Sequence, residues 1–335
     1  MAHQSDITIV NDPVLLEKNE NFVLLSGTTN PALAENIASI LKTKIYFPIK
    51  RFADSEANVQ IPVNIRRSTV VIIQSACPPD VDGAFVELFL MIDAAKRASA
   101  QEIIVMIPYF GYSRQDRKDR PRVPISASVM GSLIEFCGAD KICTIDIHSD
   151  QEQGFVKIPW DNLFSSFSLV PEIEKLNLDN LIVASGDKGG VPMATAYARR
   201  LNAEGIAIVF KERDVNTANE SHALDIIGDV KGKNVLIVDD MIDTAGTLCN
   251  AAELLIEKGA RSVSAAATHG IFSKNALDKI EASAISKLFI TDTIPLSEKA
   301  KASKKITIVS VAALMAEAIH RILTGESISE KLILR

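Results

Sequence analysis

Cysteine is scarce in this sequence of 335 residues: Cys77, Cys137, Cys143 and Cys249 are all there is, with no CxxC pair among them. Each sits within an apolar segment, which reads as reduced, buried thiols in a cytoplasmic protein. Long hydrophobic runs are missing as well. None reaches the roughly 18 residues that a membrane span requires, so no membrane partner is expected. The opening MetAlaHisGlnSerAspIle lacks the basic and apolar regions of a signal peptide. Basic excess is also absent. Lys+Arg number 36 against 42 Asp+Glu, a formal net charge of -6, which argues against a nucleic-acid surface. Low-complexity segments do not occur.

What remains is an ordinary globular composition, 47% hydrophobic and 23% charged, over a length that favours two domains. Short β-branched runs alternate with helical patterns almost throughout. Phe22–Ser26, Val70–Gln74, Ile103–Ile107, Ile142–Ile147, Leu181–Ser185, Ile206–Phe210, Val235–Asp239, Ser262–Ala267, Lys287–Thr291 and Ile306–Ser310 are predicted strands. Pro31–Leu41, Gly83–Ser99, Ser126–Cys137, Pro192–Asn202, Leu248–Lys258 and Val311–Leu323 are predicted helices. Asn30 as N-cap with Pro31 behind it is a good helix start. Strands alternating with helices imply an α/β fold of mostly parallel sheets covered on both sides. The irregular stretch Gln153–Ser166 is the expected domain boundary. Residues Lys299–Lys305 read as a solvated, Lys-rich loop.

The most informative stretch ends a predicted strand and opens a predicted helix. Asp239, Asp240 and Asp243 are followed by Thr244, Ala245, Gly246 and Thr247. Small residues at such a turn let backbone amides converge on an anion, with help from the helix dipole. Carboxylates beside that cradle suit sugar hydroxyls or a hydrated divalent metal. Together they describe a sugar phosphate; a capping turn with incidental acids is the plainer alternative. Residues 185–190, Ser-Gly-Asp-Lys-Gly-Gly, offer a second strand-to-helix turn, in which Gly189 and Gly190 permit close approach to a phosphate.

A third segment, residues 108–125, packs Arg114, Arg117, Lys118, Arg120 and Arg122 into nine positions after a strand. Guanidinium groups pair bidentately with phosphate oxygens, so a polyphosphate partner is one reading. Surface salt bridges to Asp116 and Asp119 are the other. At residues 145–149, Ile-Asp-Ile-His-Ser, a carboxylate and His148 stand two apart, hence on one face of a strand. With Asp187 that histidine could help position a metal. Residues 210–222 are polar and follow a strand, as either a mobile lid or a plain surface loop.

Taken in order, these loops resemble the ribose-phosphate pyrophosphokinase (PRPP synthetase) family over roughly residues 22–330. Asp-Asp-Met-Ile-Asp-Thr is similar to its ribose-5-phosphate loop. Tyr-x-Arg-Gln-Asp followed by Arg-x-Pro-Ile-Ser is similar to its ATP-binding stretch, which implies that Arg114 and Gln115 contact the nucleotide. ArgPheAlaAspSerGlu looks like the family's Phe-x-Asp-Gly-Glu loop, with Phe52 stacking on adenine and Asp54 and Glu56 binding its amine or ordering the loop. Ser55 replaces the usual glycine. Asp-Ile-His-x-x-Gln-x-Gln-Gly-Phe implies His148, with Asp187, as ligands of Mg2+, the expected cofactor. The 185–190 turn would hold the product's pyrophosphate, with Gly186 where proline is usual. Lys211 and Arg213 match the Lys-x-Arg catalytic loop, while Asp214, Val215 and Asn216 stand where many members have a further basic residue.

The resemblance implies two similar phosphoribosyltransferase-type domains. Residues 1–165 would carry the ATP loops. Residues 166–315 would carry the ribose-5-phosphate, pyrophosphate and catalytic loops, and a C-terminal helix over 316–335 would pack back onto the first domain. The implied reaction transfers the β,γ-diphosphoryl group of ATP to the C1 hydroxyl of ribose 5-phosphate, giving PRPP and AMP. An adenine loop that reaches a neighbouring subunit implies a homo-oligomer, a hexamer or another dimer-based assembly. A non-catalytic regulatory subunit of the same type, or a phosphoribosyltransferase, are the alternatives. No residue stands out as a general base.

Overall fold

The computed structural model describes residues 21–211, 224–329 and Leu332. They fall into two compact α/β units. The first begins β1 (Phe22–Ser26), α1 (Pro31–Ile40), β2 (Ile45–Tyr46), β3 (Ile49–Arg51), β4 (Ala57–Val59), β5 (Thr69–Ile73) and α2 (Val81–Arg97). It continues with β6 (Glu102–Ile107), α3 (Ser126–Cys137), β7 (Lys141–Ile145) and β8 (Trp160–Leu163). Six strands form one parallel sheet in the order β2-β1-β5-β6-β7-β8. Runs such as Val70–Ile73 are buried without interruption, as expected of strands covered on both faces. Asn30 caps α1 by accepting from Leu33 N at 3.4 Å, and Pro31 occupies the first turn, where its missing N–H costs nothing.

The second unit runs α4 (Ser166–Glu174), β9 (Leu181–Ser185), α5 (Val191–Arg200), β10 (Gly205–Lys211), β11 (Leu224–Ile227), β12 (Asn234–Ile242) and α6 (Gly246–Glu257). It then adds β13 (Ser262–Gly270), α7 (Ala276–Ala282), β14 (Ile285–Thr291), α8 (Glu298–Ala302) and β15 (Ile306–Val309). Its seven-stranded sheet has the order β11-β10-β9-β12-β13-β14-β15, parallel except for the edge strand β11. The chain closes with α9 (Ala312–Thr324), which belongs to the first unit and packs on α1.

Several elements differ from the sequence reading. The expected irregular stretch holds β8 and the end of a 3-10 helix, Asp150–Phe155. The short β2 and the β3–β4 hairpin have no buried residue, so no apolar pattern announces them. The Lys-rich segment contains α8, whose Lys299 and Lys301 pair with Asp278 at 2.6 Å and Glu298 at 2.7 Å. Cys137 is only partly buried, unlike the other three cysteines. Among the described residues, no helix is long and apolar enough to cross a membrane.

Each sheet has one place where neighbouring parallel strands lead their connections in opposite directions. It falls between β1 and β5 in the first unit and between β9 and β12 in the second. Such switch points open a crevice at the carboxyl ends of the strands, where α/β proteins bind ligands.

Candidate active site

The second unit's switch point is lined by residues that the sequence singled out. The turn after β9 is built by its own side chains. Asp187 N donates to Ser185 Oγ at 3.4 Å, and Asp187 Oδ1 accepts from Gly190 N at 2.9 Å. Gly190 has no room for a side chain, because a Cβ there would lie 2.6 Å from Ser185 Oγ. A Cβ at Gly186 would meet nothing nearer than Asp239 Oδ2 at 3.9 Å, so the turn approaches β12 there.

The strand expected to end at Asp239 continues as β12 through Ile242, so Asp240 stands on the strand and not in the expected loop, with Met241 paired to His269. The apolar run ends at Val238, but β13 pairs with Asp239, Met241 and Ile242 beyond it. Successive residues on a strand face opposite ways. Burial, then the neighbouring Asp240 and also Asp187, push the Asp239 carboxyl well above the usual carboxylate range. A buried carboxylate held against its neighbour favours a cation or the hydroxyls of a polyol.

Asp243 and Thr244 follow, and Ala245 takes a left-handed φ of 59° as the N-cap of α6. No side chain caps this helix, so its first amides are available to a ligand. Lys279 on α7, which sequence reasoning missed, donates to Thr244 O at 3.2 Å and ties down the turn. Nothing local in the sequence links Lys279 to a loop 35 residues earlier. Lys211 ends β10 opposite Leu224. Arg213, the lid expected over 210–222 beyond Lys211, and the departures at Asp214–Asn216 lie outside the described residues.

In the first unit, Phe52, Asp54 and Glu56 lie on the turn that joins β3 to β4. Phe52 N donates to Glu56 O and Ser55 N to Phe52 O, both at 3.0 Å, and Glu56 N donates to Asp54 Oδ1 at 3.1 Å. Phe52 is 54% exposed, a costly position for an aromatic ring that covers nothing. Ser55 has φ +74°, which accounts physically for a glycine preference there.

The basic segment after β6 folds onto the start of α3, where Ser126 Oγ donates to Gln115 Oε1 at 2.6 Å. Arg120 has an acid, Asp119, within 3.9 Å. Among the described residues Arg117, Lys118 and Arg122 make no ion pair, so the segment is not a continuous salt-bridge cluster.

His148 does not share a strand face with Asp146. β7 ends at Ile145; Asp146, with φ +40°, is buried and its Oδ2 accepts from Ser165 N at 3.0 Å, whereas His148 is exposed. The left-handed residue breaks the two-residue period. His148 N donates to Ser113 Oγ at 2.9 Å, and Ser113 Oγ donates to the buried Glu152 at 2.6 Å. Glu152 was also missed, though an acid between two glutamines of a signature motif was its signal.

The second unit thus has the makings of a phosphoribosyltransferase-type fold: a parallel sheet whose switch point carries an acid pair, an uncapped helix and a glycine turn. Residues 22–138 match the N-terminal domain of ribose phosphate pyrophosphokinase, and residues 214–333 match the phosphoribosyl synthetase-associated domain. Ribose-phosphate pyrophosphokinase of Burkholderia pseudomallei is 44% identical, over 93% of this chain and 98% of its own length. The Vibrio parahaemolyticus protein of that name is 47% identical, over 91% of this chain and 97% of its own length. The crystal structure of phosphoribosylpyrophosphate synthetase from Mycobacterium smegmatis is 34% identical and superposes with a TM-score of 0.85, covering 91% of this chain and all (100%) of that one. The chain belongs to the ribose-phosphate pyrophosphokinase family.

Proposed function

We propose that the protein transfers the β,γ-diphosphoryl group of ATP to the C1 hydroxyl of ribose 5-phosphate, releasing AMP and forming PRPP. The observation that carries this reading is the second unit's switch point. There an uncapped helix start at Ala245 suits the 5-phosphate, and the Asp239–Asp240 pair suits the ribose hydroxyls. The 185–190 turn beside Asp239 suits the pyrophosphate. Phe52 would stack on adenine, Asp54 and Glu56 would read its edge or order the turn, and Arg114 and Gln115 would hold the nucleotide. The C1 oxygen attacks the β-phosphorus as the bond to the AMP oxygen breaks. Such transfers need positioning and positive charge more than a protein nucleophile. Lys211 and Arg213 would supply that charge in the transition state.

Among the described residues no three His, Cys, Asp or Glu side chains are grouped as a ready metal site, so a divalent cation would be held largely by the substrates' phosphates, with the half-buried Asp239, beside Asp240 and Asp187, able to lend negative charge. The family resemblance implies His148 and Asp187 as side chains for magnesium, which would neutralise phosphate-oxygen charge when bound. Self-association is supported by an apolar face on α2 and α3, where Val86, Leu90, Val129, Leu133 and the 83% exposed Phe136 meet solvent. Light scattering on the purified chain would read the assembly.

Mixing the pure protein with ATP, magnesium and ribose 5-phosphate tests the reaction. AMP should appear in step with PRPP. A protein that releases no AMP but activates a catalytic partner is a regulatory subunit, and one that only consumes PRPP is a phosphoribosyltransferase.

A further inference from the structure

Glu87 is a carboxylate in the middle of the apolar helix α2, and it is 1% exposed. A buried charge persists only where it is paired and hydrogen-bonded. Its partners come from three separate segments. Thr28 Oγ1, after β1, lies 2.9 and 2.8 Å from the two carboxylate oxygens. Gln74 Nε2, after β5, donates at 2.9 Å. The third partner is Arg51 Nη2, at the end of β3, which makes an ion pair with Glu87 Oε1. The other arm of that guanidinium, Nη1, donates to Ser55 O at 3.1 Å.

These contacts fill the first unit's switch point. Gln74 also accepts from Thr29 Oγ1 at 2.9 Å, and a Cβ on Gly27 would lie 2.1 Å from Gln74 Oε1. The place that corresponds to the second unit's proposed ligand site is filled here by side chains. Its one charged group is aimed at Arg51, the residue before Phe52.

We propose that Glu87 is a positioning residue for the nucleotide. Acting through Arg51, it fixes the turn that presents Phe52, Asp54 and Glu56, and thereby sets affinity for adenine and preference for ATP over GTP. This rests on the reading of that turn as the adenine site. The hairpin packs little of itself: β3 and β4 have no buried residue, and residues 51–56 are exposed. A fork joining the turn carbonyl to a buried carboxylate therefore supplies orientation that packing does not.

The test measures dissociation constants for ATP, GTP and ribose 5-phosphate by calorimetry, with melting temperatures alongside. Four variants of the full chain are compared: Arg51→Lys, Arg51→Met, the double variant Glu87→Gln with Arg51→Met, and Phe52→Ala. Arg51→Lys keeps the buried charge pair but loses the arm to Ser55. Arg51→Met strands the Glu87 charge and should lower the melting temperature; the double variant removes both charges and should recover it.

ATP binding should weaken about tenfold in Arg51→Met and stay weak in the double variant, with ribose 5-phosphate within about twofold of wild type. ATP-over-GTP preference should shrink in both, and Arg51→Lys should fall between them and wild type. Wild-type ATP affinity in the double variant and in Arg51→Lys, with ATP binding weakened in Phe52→Ala, overturns the positioning role and leaves the adenine site standing. Unchanged ATP binding in Phe52→Ala overturns the adenine site, and the role of Glu87 with it.

Discussion

At the scale of single residues, the proposed reaction would have Asp240 and Thr247 serve the sugar phosphate alone. Asp240 lies on β12 and Thr247 in the first turn of α6, both in the second unit, whereas the Phe52 turn is in the first. Substituting either by alanine should weaken ribose 5-phosphate binding by roughly 1.5–3 kcal/mol, the worth of a charge-assisted hydrogen bond, and leave ATP binding nearly intact. Separate titrations check this, and equal losses for both ligands would refute it. A second residue-level effect is electrostatic. Burial pushes the Glu152 carboxyl up to about 7, against the opposing pull of its bonds to Ser113 and Ser149. An unfolded glutamate titrates near about 4.3, so below that pH both states are protonated and the burial costs nothing. As pH rises towards 7 the unfolded chain releases its proton first, and stability falls by up to about 4 kcal/mol before levelling off. Glu152→Gln removes the titration. Its melting temperature should therefore gain on wild type between pH 5 and pH 7.5, and parallel curves would contradict the assignment.

At the scale of elements, what matters is how each strand hands over to its helix. The turn from β9 to α5 tolerates a side chain at one glycine and not at another. Gly186→Ala meets only ordinary contact at 3.9 Å, so melting temperature and pyrophosphate affinity should stay near wild type. Gly190→Ala drives a methyl to 2.6 Å from Ser185 Oγ and must break the bonds that Ser185 and Asp187 make across the turn. Pyrophosphate or PRPP binding should then fall at least about tenfold, since a misplacement of an ångström suffices. Similar binding by the two variants would show that the turn adapts. Element boundaries were legible where apolar runs were long: α3 matches its expected limits, and β1 and β9 match theirs. They were least legible where partners, not composition, extend a strand. The backbone of β13 recruits Asp239–Ile242 into β12, and no propensity of aspartate foretells it.

At the scale of the whole molecule, the proposed reaction would draw its positive charge from Lys211 and Arg213 in an otherwise acidic chain. Lys211 stands at the end of β10, and Arg213 is two residues on. If their charge acts mainly in the transition state, Lys211→Ala and Arg213→Ala should each lower kcat far more than they raise KM, on the order of 10³-fold. Steady-state kinetics with ATP and ribose 5-phosphate would measure this. Wild-type turnover in both variants would remove the catalytic role of the loop.

The sequence by itself determined the α/β class and the order of the signature loops, because both are local. Strand and helix periods repeat within a few residues, and turns that need glycine or a cap must spell it in place. Tertiary structure alone decided which strands become neighbours, hence that β9 and β12 lie side by side and bring the 185–190 turn next to Asp239. It likewise joined Glu87 to Arg51 across 36 residues, and Lys279 to Thr244 across 35. Both are pairings between a charge and a distant partner that reads as ordinary where it stands. Their meaning lies in burial and approach, which only the packed chain creates.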